Sequence, residues 1–186
     1  MFKRILIANR GEIAVRVIRA CQELDIETVA IYSEADANAL HVQLADISVN
    51  VGPADATESY LNKTAILKAA RETHADAIHP GYGFLSEDAD FAEQVTEAGI
   101  TWIGPMPETI RLVGDKDIAR ATIAPSGIPM AKGSDPLTSN EEAIKAAAEV
   151  GYPVILKPVA GGGGKGMCVA HNEEDLRNIL TVLVDI

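Results

Sequence analysis

Short apolar runs alternate with stretches of helical spacing from the N-terminus to about Gly104. Arg4 to Ala8 (Arg-Ile-Leu-Ile-Ala) is a near-continuous apolar run, the pattern of a strand buried on both faces. Asn9-Arg10-Gly11 makes a turn, and Ile13, Val17, Ile18, Cys21 and Leu24 then recur at helical spacing until Asp25 ends the pattern. Glu27 to Ser33 supplies the next strand. Asn38 is placed to cap a short helix through Leu44, and Ile47 to Val51 reads as a third strand. A helix from Asn62 to Thr73 follows, carrying Ile66, Leu67 and Ala70. The fourth strand, Asp76 to His79, runs into Pro80-Gly81-Tyr82-Gly83. Ser86 heads a helix to Ala98, Gly99 stops it, and the strand Ile100 to Ile103 ends at Gly104-Pro105.

Strands alternating with helices predict a parallel sheet covered on both faces, with ligands beyond the carboxyl ends of the strands. The candidate loops are therefore Asn9 to Glu12 and His79 to Glu87. The first has a single glycine, which makes a poor dinucleotide site and reads locally as a strand-to-helix turn.

The pattern changes after Pro105. A short helix, Pro107 to Val113, leads to Gly114-Asp115-Lys116, with Asp115 as N-cap of a helix ending before Pro125. Ser126 to Pro136 is rich in glycine, proline and serine and reads as an interdomain connection. Ser139-Asn140-Glu141-Glu142 has the form of a capping box heading an alanine-rich helix to Val150, closed by Gly151. Val154 to Leu156 and Met167 to Val169 read as strands, and Asn172 caps a last helix on which Leu176, Ile179, Leu180 and Leu183 share a face.

Between those two strands lies the most distinctive stretch of the chain. Lys157 leaves the first strand, and a run of consecutive glycines ends in Lys165-Gly166-Met167. Glycine has no Cβ and tolerates positive φ, so its backbone N–H groups can approach a ligand closely. With flanking lysines, such a loop cradles phosphate oxygens; the plainer reading is a flexible linker. A Walker A loop does not fit, because Gly166 follows Lys165 where a hydroxyl residue is required. The dinucleotide fingerprint does not fit either, because a strand and not a helix follows the glycines. The combination suggests a hairpin lid over a nucleotide triphosphate.

Composition narrows the classes. Of 186 residues, 47% are hydrophobic and 23% charged, ordinary for a globular chain. The net charge of −11 argues against a nucleic-acid surface, so an anionic ligand must be met by a few placed cations and amides. Cys21 and Cys168 form neither a disulfide framework nor a zinc cluster and fit a reducing cytoplasm, with Cys21 a small core residue. No apolar run reaches the roughly 20 residues needed to span a membrane, and Arg10, Glu12, Arg16 and Arg19 follow too soon for the long apolar stretch of a signal peptide.

Five stretches in order carry a family resemblance: Arg-Ile-Leu-Ile-Ala-Asn-Arg-Gly-Glu-Ile-Ala at 4–14, His-Pro-Gly-Tyr-Gly-Phe-Leu-Ser-Glu at 79–87, Ile-Gly-Pro at 103–105, Gly-Asp-Lys at 114–116 and Gly-Gly-Gly-Gly-Lys-Gly-Met at 161–167. Together they closely resemble the N-terminal part of biotin carboxylase, the ATP-grasp module of acetyl-CoA, propionyl-CoA and pyruvate carboxylases, the first of which serves fatty acid biosynthesis. The resemblance implies a Rossmann-like domain at 1–114 (the domain preceding an ATP-grasp fold), a connecting helix and linker at 115–134, and the beginning of a truncated ATP-grasp domain at 135–186. It implies that Lys116 and Lys157 contact the nucleotide phosphates of ATP and that Gly163 and Gly164 close on them, with Lys165, Gly166 and Met167 continuing the same segment. Tyr82 and Gly83 resemble the part of the family site that faces the biotin ureido ring; locally they read as a turn with a packed tyrosine. Lys116 on its own reads as a solvated charge. Arg16, Arg19 and Glu23 lie on a helix that contributes to a dimer contact in bacterial members; on their own they read as a solvated helix face.

The family reaction carboxylates biotin on a carrier protein or domain, using ATP, bicarbonate and magnesium. Phosphoryl transfer of this kind relies on positioning and charge neutralisation. Two departures stand out. Pro158 follows Lys157 where the family more often has alanine, which removes an N–H at the loop entrance. The acidic magnesium ligands, the bicarbonate site and the catalytic arginine of the family have no counterpart before Ile186, and residues 181–186 do not resemble the family's continuation. The expectation is an N-terminal piece of a biotin carboxylase that is catalytically incomplete alone. The alternatives are a non-catalytic nucleotide-binding or subunit-interaction fragment, or another ATP-grasp ligase such as a carbamoyl phosphate or purine-pathway enzyme. The motifs at 9–14 and 79–87 argue against the last.

Overall fold

The computed structural model describes residues 1–114, 116–129, 131–157 and 166–183, with backbone alone at 116, 117, 182 and 183. The chain falls into two compact units, Met1–Asp115 and Lys116–Ile186.

In the first unit, β1 (Arg4–Ile7), β2 (Glu27–Ser33), β3 (Ile47–Gly52), β4 (Ala77–His79) and β5 (Thr101–Trp102) form one parallel sheet in the order β3-β2-β1-β4-β5. Leu6 lies beside Val29 on one side and Ile78 on the other, so β1 is the central strand. Its residues alternate between two cores. Leu6 and Ala8 join Val29, Ile31, Ile78, Ile66, Phe91 and Val95 on one face. Ile5 and Ile7 join Ala30, Ala77, Val17, Ile18 and Cys21 on the other. Burial on both faces is why this strand is almost wholly apolar. The helices α1 (Gly11–Glu23) and α2 (Leu40–Leu44) serve the second core, and α3 (Lys63–Glu72) and α4 (Ala89–Glu97) the first. The helix α5 (Pro107–Gly114) packs Ile110 against Ala89 and Ala92 of α4.

Two helix starts differ from the expectation. Asn38 does not cap α2: Ala39 occupies that position without a side-chain bond, and the Asn38 carbonyl instead accepts from Gln43 Nε2 at 2.8 Å. Ser86 does not head α4. Phe84–Glu87 forms a 3-10 turn, and Asp88 caps the helix by accepting from the Phe91 N–H at 2.8 Å. A carboxylate at the N-cap also meets the positive end of the helix dipole, which a hydroxyl does not.

The second unit contains α6 (Lys116–Ile123), α7 (Asn140–Val150), an antiparallel pair β6 (Val154–Leu156) and β7 (Cys168–Ala170), and α8 (Glu173–Leu183). The expected cap Asp115 lies outside the described residues. Ser139 caps α7 as its sequence predicts, accepting from the Glu142 N–H at 3.2 Å, but the Glu142 carboxylate reaches back to the Thr138 N–H (2.8 Å) instead of its own cap. Asn172 caps α8 through the Asp175 N–H at 2.9 Å. Ala143, Ala147, Leu176 and Leu180 gather on Ala170, Val154 and Leu156, so both helices cover one face of the hairpin. Among the described residues no helix is long and apolar enough to cross a membrane.

Candidate functional site

Strand order reverses between β1 and β4, so the loops after these strands lie side by side at the carboxyl edge of the sheet, where open α/β sheets take ligands. Ala8 N–H still bonds the His79 carbonyl at 2.9 Å, and the next residue, Asn9, is 2% exposed. A buried amide must find partners for all its polar atoms. Asn9 Nδ2 donates to the Pro80 carbonyl (2.7 Å) and the Tyr82 carbonyl (2.9 Å), while Oδ1 accepts from the Arg10 N–H (2.9 Å). One side chain therefore ties the two candidate loops together. Gly81 makes room for it: a Cβ there would lie 2.8 Å from Asn9 Nδ2, and its φ of +69° is in the left-handed region.

A second group braces the same loops. Arg10 forms a two-pronged pair with Asp36, Nε to Oδ2 at 2.6 Å and Nη2 to Oδ1 at 2.7 Å. Asp36 Oδ2 also accepts from the buried Tyr60 hydroxyl at 2.6 Å, and that hydroxyl accepts from the Ser33 N–H at 3.0 Å. The Tyr60 ring stacks on Phe84 with centroids 5.7 Å apart, and the Arg10 guanidinium sits 5.6 Å from the Tyr60 centroid. Arg10 and the Tyr60 hydroxyl hold the Asp36 carboxyl down at about 2. Burial, aided by the facing Asp36 carboxylate, pushes the Tyr60 phenol up.

Two histidines complete the edge. His79 Nδ1 accepts from the Gly81 N–H at 3.0 Å, and burial holds its pKa below the ordinary value. His41 is buried with Nε2 on the Ile31 carbonyl (3.2 Å), and burial holds its pKa down as well. The Tyr82 ring, by contrast, is 63% exposed, with its hydroxyl 3.3 Å from Glu12 Oε2. Tyr82 is not the packed tyrosine of the local reading. Gly83 follows at φ +62° with open space where a Cβ would stand. Phe84 also lines an open groove of about 420 Å³ with Glu87, Asp88, Ile110 and Arg111.

In the second unit the hairpin has an uncovered face. Ile155 pairs with Val169 across the strands, and both point away from the helices, 56% and 49% exposed. Met167 precedes β7 and is exposed, as is Lys157 immediately after β6. Gly166 is described, at φ +75°, whereas Gly163, Gly164 and Lys165 lie outside the described residues. Lys116 is the first residue of α6, and its side chain is outside the description. Arg16, Arg19 and Glu23 are all exposed on α1, opposite buried Val17, Ile18 and Cys21. Among the described residues no group of three or more His, Cys, Asp or Glu is arranged to hold a metal ion.

The family motif points to Tyr82 and Gly83 and the strand pattern to the loop Asn9 to Glu12, but neither points to Asp36 or Tyr60, or to Asn9 as the tie between the loops. One signal for Asn9 was available: a polar residue ending a doubly buried strand must be partnered inside the protein.

A Rossmann-like α/β unit with two adjoining loops at its switch point, followed by a lysine-bearing hairpin, places the chain in the ATP-grasp class of its solved neighbours. The chain belongs to the biotin carboxylase family: residues 1–110 match the family model described as biotin carboxylase, N-terminal domain. Residues 115–185 match the model described as carbamoyl-phosphate synthase L chain, ATP binding domain. Biotin carboxylase 1 of Bacillus subtilis is 57% identical over 179 residues, covering 96% of this chain and 40% of the relative. The crystal structure of a Campylobacter jejuni biotin carboxylase–β,γ-ATP complex superposes with a TM-score of 0.91 at 48% identity, covering 98% of this chain and 41% of that one. The biotin carboxylase domain dimer of the Hydrogenobacter thermophilus 2-oxoglutarate carboxylase, solved with MgADP, ADP and bicarbonate, superposes with a TM-score of 0.88 at 48% identity, covering 100% of this chain and 42% of that one. The chain thus spans about 40% of the length of the curated biotin carboxylases it matches.

Proposed function

We propose that this chain supplies the N-terminal part of a biotin carboxylase, the ligase that couples ATP cleavage to carboxylation of biotin on a carrier. In this reading the second unit takes ATP. The purine lies against Ile155, Val169 and Met167, and Lys157, Lys116 and the segment from Gly163 to Gly166 meet the phosphates. Tyr82 and Gly83 of the first unit face the ureido ring of biotin. Bicarbonate attacks the γ-phosphorus to give carboxyphosphate and ADP, and the carboxyl group then passes to a ureido nitrogen as phosphate leaves and takes up the N–H proton. Arg16, Arg19 and Glu23, exposed on α1, belong to a contact between two copies.

The observation that carries the reading is the bare apolar face of β6 and β7 with Lys157 at its edge. Ile155 and Val169 stand side by side on this face, and an aromatic ring laid on them removes apolar area from water. The lysine then meets an anion attached to that ring. Calorimetric titration of the chain with ATP and magnesium is expected to give saturable binding. Heat no greater than dilution at millimolar ATP would remove the nucleotide from this face.

A further inference from the structure

We infer that Asn9 is a positioning residue for the loop that carries Tyr82 and Gly83. Its use in presenting those two residues to biotin rests on the proposed function, whereas the clamp itself does not. Asn9 spends both amide protons on carbonyls two residues apart, Pro80 and Tyr82. The loop's local bonds, Gly81 N–H to His79 Nδ1 and Ser86 N–H to the Gly83 carbonyl, do not reach the rest of the sheet edge. Asn9 does, because it continues the central strand β1 and is itself buried.

The second anchor lies just beyond Gly83. Phe84 adopts a φ of +44° and rests on the Tyr60 ring, whose hydroxyl is held by Asp36 and Ser33. Gly83 is thus bounded by a fixed carbonyl on one side and a fixed ring on the other. Its own φ of +62° keeps the turn between them. The backbone under Tyr82 is pinned while the Tyr82 ring is mostly exposed. A side chain that merely packed would need no such support. A rigid backbone beneath an exposed aromatic is how a recognition group is preorganised.

The role separates by atom. Asn9→Asp keeps the acceptor for the Arg10 N–H and removes both donors to the loop, whereas Asn9→Ala removes all three bonds. In both variants amide exchange at Gly81 and Ser86, the hydrogen-bonded amides of the loop, should accelerate by about tenfold or more, since each lost bond is worth about 1 kcal/mol. Exchange in β2 should stay at the wild-type rate. Unchanged loop protection in Asn9→Asp, or equal acceleration throughout the unit, would overturn the clamp.

A measurement on the wild type guards against variants that do not fold. The Asn9 side-chain amide protons should be protected and show cross-relaxation to Tyr82; a freely exchanging amide overturns the inference. Titrating free biotin into the wild type tests the other premise. Shifts at Tyr82 and Gly83 that weaken in Asn9→Asp support presentation to biotin. Shifts that do not weaken overturn that role. Their absence in the wild type sinks the biotin reading, while the exchange data still decide the clamp.

Discussion

Arg10 and Asp36 face each other through two nearly parallel hydrogen bonds of 2.6 and 2.7 Å, joining the loop after β1 to the turn after β2. The Arg10 side chain is 48% exposed and that of Asp36 only 14%, so the carboxylate is the better-shielded partner. It also receives the Tyr60 hydroxyl, which makes Asp36 the hub of the brace beneath Phe84.

Asp36→Asn keeps an acceptor for Tyr60 and removes the charge that Arg10 meets. The expected loss at neutral pH is about 1–2 kcal/mol, toward the low end for a charge-assisted pair because Arg10 is half in solvent. Because the folded-state pKa of about 2 lies below the ordinary 3.8, the carboxylate's contribution is whole above pH 3.8 and is lost as pH falls through about 2. Denaturant unfolding should therefore show an acid-side decline between these values that the variant lacks. A variant as stable as the wild type at neutral pH would show the brace to be idle.

Gly81→Ala meets two obstacles. The left-handed φ costs about 1–2 kcal/mol for any residue with a Cβ, and the added carbon would sit 2.8 Å from Asn9 Nδ2. Gly99→Ala is the matched control, with φ +76° and open space around the new carbon. Thermal unfolding should show Gly81→Ala to be the more destabilised of the two. Equal losses would mean that the Asn9 amide moves aside at no cost.

Much of this fold was legible because burial forces composition. The runs at Arg4–Ala8 and Glu27–Ser33 are apolar since both faces of β1 and β2 are covered, and period alone then discloses a parallel sheet. The starts of α2 and α4 were not, because Asn38, Ser86 and Asp88 all have the chemistry of a cap and only the chain's path selects among them. The brace was hidden for a different reason. Asp36 and Tyr60 are 24 residues apart, and each is ordinary in its local pattern. The resemblance reached Tyr82 and Gly83 through their motif but said nothing of the side chain that holds them. The four glycines at 161–164 lie within residues 158–165, which are outside the described residues.

Acid should loosen the first unit before the carboxylates titrate. His41 and His79 both have folded-state values held below the ordinary 6.5, in each case chiefly by burial. Around His41, the Ile31 carbonyl and the Asp36 charge favour protonation and Arg10 opposes it, but burial dominates. The unfolded chain then binds protons that the folded chain does not, so stability is full above pH 6.5 and declines as pH falls below it. Protonating His79 at Nδ1 would also displace the Gly81 N–H. Unfolding midpoints measured across this range should fall on the acid side, and His41→Gln should flatten the slope. A midpoint independent of pH there would mean that neither ring is desolvated as described.

The last prediction concerns Lys157, which stands at the edge of the bare hairpin face. If the phosphates of ATP meet its ammonium, Lys157→Ala removes a charge-assisted hydrogen bond worth about 1.5–3 kcal/mol, a loss of about 10- to 150-fold in affinity. Lys145 on α7 is exposed too, and Lys145→Ala controls for the general effect of one positive charge on an acidic chain. Ile155→Ala tests the other half of the contact. Its side chain is more than half exposed, so shortening it costs the fold little, while a purine resting on it would lose about 1 kcal/mol of apolar contact. Calorimetry with ATP and magnesium should rank the variants Lys145→Ala, Ile155→Ala, Lys157→Ala in order of increasing loss. The Lys157 effect should also shrink in raised salt, because screening weakens a partly exposed charge contact. Binding by Lys157→Ala within about twofold of the wild type, less than a weak hydrogen bond's contribution, would take this lysine out of the site. A loss shared equally by Lys145→Ala would instead assign the effect to net charge and leave the hairpin face without a nucleotide.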